Sequence, residues 1–588
     1  MPGLAGHARH RPKVLRGTGE HADRKDAVTR ELSTTDRVEQ AIHAAEQVVL
    51  GAAGVGSWPN PRRAAVSGAA GAVLALHFAD ADRSAGLIAD GVAWLLRVQN
   101  PDGGWGTLEG FPSDFVATAM ATAALHLAAG SDGADSVSRA RGWIDRRGGV
   151  AGLDDPMMGQ LCGLVLSIAG LQDANRLRRV PVELVLLPAA LRRRLLSYLT
   201  PPFLALSFMQ SRQRKHNPLA RAIDRLARPV AARLLAAFDQ QEGGVGSYGG
   251  DPWLTGLVCT ALTRAGAAPE LARRSVEYLR MTAQPGGSWH LVHGVEAERV
   301  EVTGMAFSVH GLALAGHSAD PRLLRARSWL AGCQQLEPSE VYASPAGAWA
   351  WTGRKGWPNA LETVLVLRIL VADAELDPDT EQIMRRGIAW LIAQQDKRGS
   401  WSTFVRNTLV PLDGPCPFIT ALAIEILHSV GVATSDPPIR RALRWLERHQ
   451  APDGSFEARW HRGGVPATAA VVHALTELGM RGHPVATKAR DWLLAAQLDD
   501  GSWSTGRGDQ DGTPDETGHA TRALVACGEH EAARRGAEWL VAAQQPDGRW
   551  EPGQTCIYIR DYVHYSDPLI AQGLAIGALA AYREVGNG

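Results

Sequence analysis

Trp390-Leu-Ile-Ala-Gln-Gln-Asp-Lys-Arg-Gly-Ser-Trp401 sets Gln395 five residues after one tryptophan and six before the next. The same spacing recurs as Trp94-Gln99-Trp105, Trp492-Gln497-Trp503 and Trp539-Gln544-Trp550, and as Trp445-Gln450-Phe456. Weaker copies surround Tyr278-Gln284-Trp289, Phe238-Gln241-Tyr248 and Trp329-Gln334. In the C-terminal half the leading tryptophans are 55, 47 and 47 residues apart. A period of that size predicts a stacked array in which each unit buries its neighbour's apolar face.

Within a unit, an amphipathic run such as Arg386 to Gln395 predicts a helix. A glycine turn ends it, as in Asp102-Gly-Gly-Trp105 or Asp500-Gly-Ser-Trp503, and a second apolar helix follows, such as Ala117 to Ala129 or Ala467 to Leu478. The Gln is expected to bond carbonyls left open at the helix end while the turn Trp covers exposed backbone.

At 588 residues the chain has room for two domains with sizeable cores. Its 61 basic residues match its 61 acidic ones, so the charge balance gives no sign of a nucleic-acid partner. Cys162, Cys259, Cys333, Cys416, Cys527 and Cys556 stand singly, which suits a reducing cytosol better than a disulfide framework or a zinc finger. Residues 1–34 read as a polar, disordered tail without a signal peptide. The apolar stretch Val180 to Met209 is broken by Glu183, Arg192 to Arg194 and the Pro201-Pro202 pair, so it does not read as a membrane span. Its uncharged part, Leu195 to Met209, lies between basic flanks. That leaves two readings open, an element on a membrane surface or a buried connector. Walker, Rossmann and nucleophile-elbow patterns are absent.

From about Gly54 to the C-terminus the chain resembles the squalene–hopene cyclase superfamily, the class II terpene cyclases. The Gln-Trp repeats carry the likeness, with Pro112-Ser-Asp114 after the first repeat, Pro181 to Pro188, and an aromatic tail from Tyr558 through Tyr562 and Tyr565 to Tyr582. The resemblance implies an all-α protein of two α/α barrels, one inserted into the other, around an apolar cavity for an isoprenoid chain. The inserted barrel is expected over residues 52–297 and the C-terminal barrel over 298–588, with a helix from residues 35–51 packed on the latter.

The family protonates its substrate from an Asp inside Asp-x-Asp-Asp-Thr-Ala, tuned by a His partner, because an alkene needs a strong acid in a dry pocket. Here the matching stretch reads Pro358-Asn359-Ala360-Leu361-Glu362-Thr363, so Leu361 stands at the donor position. Downstream, Pro417-Phe418-Ile419-Thr420-Ala421-Leu422 sets Leu422 where the His belongs and Phe418 where an Asp belongs. The usual donor and its partner are both apolar, and the two leucines are expected to face each other across neighbouring helices.

Trp351, Trp357, Phe404, Trp460 and Tyr565 match or adjoin aromatic positions that would line the cavity and hold carbocations on their ring faces, the alternative being that they only pack, a choice left even for Trp357 and Phe404. Glu362 is the first substitute acid, its pKa raised if buried; alternatively it bonds a helix end or pairs with Arg368. Asp413, in Leu412-Asp-Gly-Pro-Cys416, is either a second candidate at the cavity mouth or a turn former. The acidic segment Asp509-Gln-Asp511-Gly-Thr-Pro-Asp515-Glu516 reads as a solvated turn, with Mg²⁺ relevant only to a diphosphate substrate. No metal site is assigned, and no cofactor is required. The expected activity is a non-canonical terpene cyclase, with a homodimer and attachment to a membrane's inner face both left open; the alternative is a non-catalytic isoprenoid-binding or partner protein.

Overall fold

The computed structural model describes residues 33–51, 58, 63–213, 218–293, 302–372, 377–505, 511–554, 556–559 and 562–586. The expected tail up to residue 32 and the expected boundary at 297/298 lie outside these residues. The fold is all-α, with one short antiparallel hairpin pairing Cys556–Ile559 with Val563–Tyr565.

Helix α1 spans Thr34–Gly51. The first barrel follows as α2 (Val66–Ala79), α3 (Ala85–Arg97), α4 (Phe115–Ala128), α5 (Ala134–Arg146), α6 (Pro156–Ile168), the short α7 (Ala189–Arg193), α8 (Thr200–Gln213), α9 (Pro218–Gln241), α10 (Pro252–Ala265) and α11 (Pro269–Met281). Helices α2, α4, α6, α8 and α10 form its inner layer. The second barrel runs α12 (Val302–Leu312), α13 (Pro321–Gly332), α14 (Ala360–Val371), α15 (Pro378–Gln394), α16 (Pro417–Ser429), α17 (Pro437–His449), α18 (Val465–Glu477), α19 (Pro484–Ala495), α20 (Pro514–Cys527), α21 (His530–Ala543) and α22 (Pro568–Gly586). Its inner helices α12, α14, α16, α18, α20 and α22 each pack on the next, and α22 returns to α12 to close the ring. The outer helix beside α22 is α1, which packs on α21 and α22.

Inner and outer helices differ in the way their burial requires. Outer α17 buries Ile439, Ala442, Trp445 and Leu446 on one stripe and leaves its arginines in water, whereas inner α18 is buried along nearly its whole length and reads apolar all round.

The repeat fastens these layers with side-chain hydrogen bonds. The turn Trp donates its indole N–H to a carbonyl in the last turn of the preceding outer helix: Trp105 to Leu95, Trp289 to Leu279, Trp401 to Leu391, Trp503 to Leu493 and Trp550 to Leu540, at 2.7–2.9 Å. The Gln amide donates twice, to the turn glycine and to a carbonyl early in the next outer helix. Gln395 thus joins Gly399 to Pro438, and Gln497 joins Gly501 to Ala532. This corrects the expected roles, because the Trp takes the open helix-end carbonyl and the Gln links one repeat to the next. The turn glycine permits the close approach: Gly399 has φ +107°, and a Cβ there would lie 2.3 Å from the Arg441 carbonyl.

In five units a threonine in the first turn of the following inner helix completes the unit. Thr118, Thr363, Thr420, Thr468 and Thr517 accept the backbone N–H of Trp105, Trp349, Trp401, Phe456 and Trp503. These threonines put the inner helices in a common register.

Gln544 bonds Gly548 and the Ala41 carbonyl of α1, tying the first helix to the last repeat. Gln544→Leu should therefore lower unfolding stability by about 1–2 kcal/mol in a denaturant titration. It should also speed amide exchange in α1 while leaving α14 unchanged; equal exchange in both helices would argue against this tie.

Candidate active site

The N-terminal ends of the second barrel's inner helices face the first barrel. Asn359 caps α14 by accepting the Glu362 backbone N–H at 3.0 Å, which turns the Glu362 side chain inward. Glu362 is 2 % exposed. One carboxyl oxygen accepts the Thr303 hydroxyl at 2.5 Å, and the other is buried without a partner. Burial pushes its pKa above the usual carboxylate range, and the Thr303 hydroxyl offsets only part of this. The carboxyl does not pair with Arg368, which binds Glu425 at 3.2 Å.

Glu362 lines an enclosed cavity of about 50 Å³ together with Leu361, Trp351, Trp460, His461 and Tyr565. Trp351 donates to the Gly249 carbonyl of the first barrel at 3.0 Å, and Trp460 to the Thr403 hydroxyl at 2.9 Å. These bonds fix both rings, so their faces rather than their N–H groups are free to meet a ligand.

Trp357 and Phe404 do not line this cavity. They lie in a packed aromatic wall between the barrels with Tyr198, Phe238, Tyr342 and Trp351, at ring separations of 5.8–6.5 Å. Side chains of this size fill the space where a chain-sized cavity was expected, and a small void remains. Two larger spaces lie elsewhere. One is an apolar channel of about 300 Å³ lined by Val182, Leu184, Leu195, Leu199, Phe203 and Val410. The other is a polar cleft of about 1000 Å³ between the barrels, whose walls include Asp114, Arg147, Arg462 and His564.

Leu361 and Leu422 do not occupy one site. Leu361 stands two residues before its register threonine, as Phe418 does, whereas Leu422 stands two residues after Thr420. Four residues along a helix is about 6 Å, and Leu422 lines a separate void of about 40 Å³ deeper in the barrel. Phe418 lines that void too and packs on His461 at 4.9 Å.

Asp413 ends a short 3₁₀ turn, Pro411–Asp413, and is 0 % exposed. It is therefore behind the aromatic wall rather than at a cavity mouth. Burial pushes its pKa from 3.8 to about 7, with Ser197 and Arg459 offsetting only part of the effect.

The acidic segment also differs from expectation. Asp509 lies outside the described residues, and Asp511 is exposed on the polar cleft. Asp515 and Glu516, by contrast, are buried in the first turn of α20. Burial, then the neighbouring Asp515, raises Glu516 to about 8. A solvated turn is ruled out for this pair because Thr513 caps a helix there. Among the described residues no group of three His, Cys, Asp or Glu stands close enough to hold a metal.

Leu195 to Met209 is likewise not a surface element. Tyr198 joins the aromatic wall, and α8 packs on α10 with Leu204, Leu206, Phe208 and Met209 buried. The exposed apolar residues of this region are Leu184, Leu186 and Leu191 before it, and Leu409 opposite, whose N–H bonds the Arg194 carbonyl. No helix among the described residues is long and apolar enough to cross a membrane.

Sequence reasoning missed His461, Thr303 and Tyr198. His461 directly follows the recognised Trp460. Thr303 and Tyr198 carry no local signal, since each reaches the site through a contact across the fold.

Sequence models of the squalene-hopene cyclase N-terminal domain match residues 42–197, and those of its C-terminal domain match 253–408 and 406–566. The chain is 24 % identical over 520 residues to a squalene–hopene cyclase of Zymomonas mobilis, covering 74 % of this chain and 78 % of that one. It is 40 % identical over 88 residues to a copalyl diphosphate synthase of Streptomyces anulatus, 15 % of each chain. Among solved structures, ent-copalyl diphosphate synthase from Streptomyces platensis shares the fold with a TM-score of 0.53 at 19 % identity, over 93 % of this chain and 99 % of that one.

The buried acids make stability depend on pH. Asp413 keeps its proton longer in the folded chain than in the unfolded one, so it costs stability as pH rises from about 3.8 to about 7, and the cost is constant above that. Asp413→Asn, which cannot ionise, should gain on wild type across this window by a few kcal/mol at most. Unfolding titrations at pH 4, 5.5 and 7 measure the gap; a gap that does not widen with pH would show that Asp413 is ionised in the folded protein.

Proposed function

We propose that this chain, which belongs to the squalene–hopene cyclase family, cyclises a linear isoprenoid and starts the reaction from Glu362. The supporting observation is a buried carboxyl, its pKa raised by burial, whose unpartnered oxygen belongs to a cavity walled by Trp351, Trp460 and Tyr565. The Glu362 O–H breaks as its proton forms a C–H bond with a terminal alkene carbon. The alkene's π electrons form that bond and leave a tertiary cation. The faces of Trp351, Trp460 and Tyr565 stabilise the positive charge while further double bonds close rings. Loss of a proton, or capture of water, ends the sequence.

A carboxyl raised by burial is a weaker acid than the family's Asp, so this route suits an electron-rich alkene. The named relatives act on both hydrocarbon and diphosphate isoprenoids. Arg147 and Arg462 on the polar cleft support a charged head group, and Mg²⁺ enters only with such a substrate. The substrate reaches the site from a membrane surface, a reading supported by the apolar channel and by exposed Leu184, Leu186, Leu191 and Leu409 beside the Arg192–Arg194 run. A second reading, a non-catalytic isoprenoid binder, is favoured by the 50 Å³ size of the void and by leucine at the donor position.

Incubation with squalene, polyprenyl diphosphates and prenylated aromatics, with products read by mass spectrometry, separates the readings. Cyclic product from wild type, with kcat lowered about 100-fold or more in Glu362→Gln, is expected. Undiminished activity in that variant would move initiation to another acid or to the substrate's leaving group. Binding without product from any of them would favour the second reading. On liposomes, Leu184→Asp with Leu186→Asp should cut co-sedimentation several-fold; unchanged binding would count against this docking face.

A further inference from the structure

The register threonines of the second barrel bring a set of ionisable residues to one depth. Five residues after Thr363, Thr420, Thr468 and Thr517 come Arg368, Glu425, His473 and Arg522, and all four line the void of about 40 Å³ deep in the barrel. His310 of α12 and His519 of α20 line it as well, while α22 contributes Gly577, which leaves the space open.

Donors outnumber acceptors in this layer. Glu425 is its only carboxylate among the described lining residues. One of its oxygens takes the Arg368 guanidinium and the other meets His473 Nδ1, each at 3.2 Å. Nothing remains for Arg522, which makes no hydrogen bond or ion pair among the described residues. The Nε2 atoms of His310 and His519 are buried without partners. Burial works against ionisation of Glu425, but Arg368 and then His473 outweigh it and hold the carboxylate charged. Burial holds both His310 and His519 neutral. With two guanidiniums against one carboxylate, the layer keeps one unbalanced positive charge. The exposed Glu477 at the end of α18 acts on Arg522 only from a distance. The C-terminal end of α14 helps keep Arg368 charged, whereas Arg522 lies outside the last turn of α20. An unmade hydrogen bond to a buried charged group is costly, so a ligand that both accepts and carries negative charge is favoured here.

We propose that this void is a binding site for one small monovalent anion of the halide class, held by Arg522 and an imidazole N–H of His310 or His519. About 40 Å³ holds one or two water-sized particles and excludes phosphate or sulfate. The site is independent of how the reaction is initiated.

Crystals of the full chain soaked in bromide, with anomalous data collected at the bromine edge, test the proposal. A bromide peak within hydrogen-bonding distance of the Arg522 guanidinium is expected; water alone in the void would overturn it. In solution, replacing a bulky organic anion by bromide at equal ionic strength should raise the wild-type Tm by about 1–3 °C at ten times half-saturation. Arg522→Gln should abolish that rise. A bromide peak without any bromide-dependent Tm would mean an adventitious ion only, and an unaltered dependence in Arg522→Gln would also sink the proposal. Should that variant fail to fold, the soaked wild-type crystal and its melting curve still decide the question.

Discussion

Each outer helix of this protein ends in carbonyls that have no helical partner, and the way they are satisfied governs the rest of the architecture. The indole N–H of the turn Trp takes one, and the backbone of that turn is pinned in turn by the inner-helix threonine. The Gln amide then reaches the following outer helix, so no repeat is complete without its neighbour. The link from Gln544 to Ala41 carries this logic around the circle and draws α1, more than 500 residues from its partner, into the second barrel. The first barrel, inserted between α1 and α12, is held against the mouth of the second.

A consequence is a barrel with chemical polarity. Its inner helices start at the face toward the first barrel, and the buried acids Glu362, Asp515 and Glu516 stand in their first turns. The positive ends of the helix dipoles favour negative charge there. Arg368 stands in the last turn of α14, where the dipole favours a cation. Burial nevertheless raises the Glu362 pKa, because its side-chain partner Thr303 offers only a neutral hydroxyl. Glu425, equally enclosed, remains charged because Arg368 and His473 meet both of its oxygens. Two buried carboxyls in one barrel are thus shifted in opposite directions, and the difference is decided by partners rather than by depth.

Much of this was legible in the sequence. The Trp-Gln-Trp spacing specified the stacked repeat, and the family resemblance around Thr363 gave Leu361 as the expected donor position with Glu362 beside it. Two assignments failed for a common reason. Leu422 was matched to Leu361 by motif, yet the threonine register sets it a turn deeper. Asp515 and Glu516 were read as solvated from their local acidity, although a helix cap at Thr513 buries them. Linear spacing gives height along a helix only when the element that anchors it is known, and the anchoring hydrogen bonds of this fold run between residues far apart.

By itself, then, the chain determined the all-α repeat fold and its family, because each depends on residue types at short, regular spacing. Only the tertiary structure decided which aromatics wall a cavity and which merely pack, how little space they leave, and which acid keeps an unpartnered oxygen. Those properties depend on desolvation, and desolvation at the mouth of one barrel is set by what the other barrel brings against it: Trp351 is held by Gly249, and Asp413 is sealed behind Tyr198.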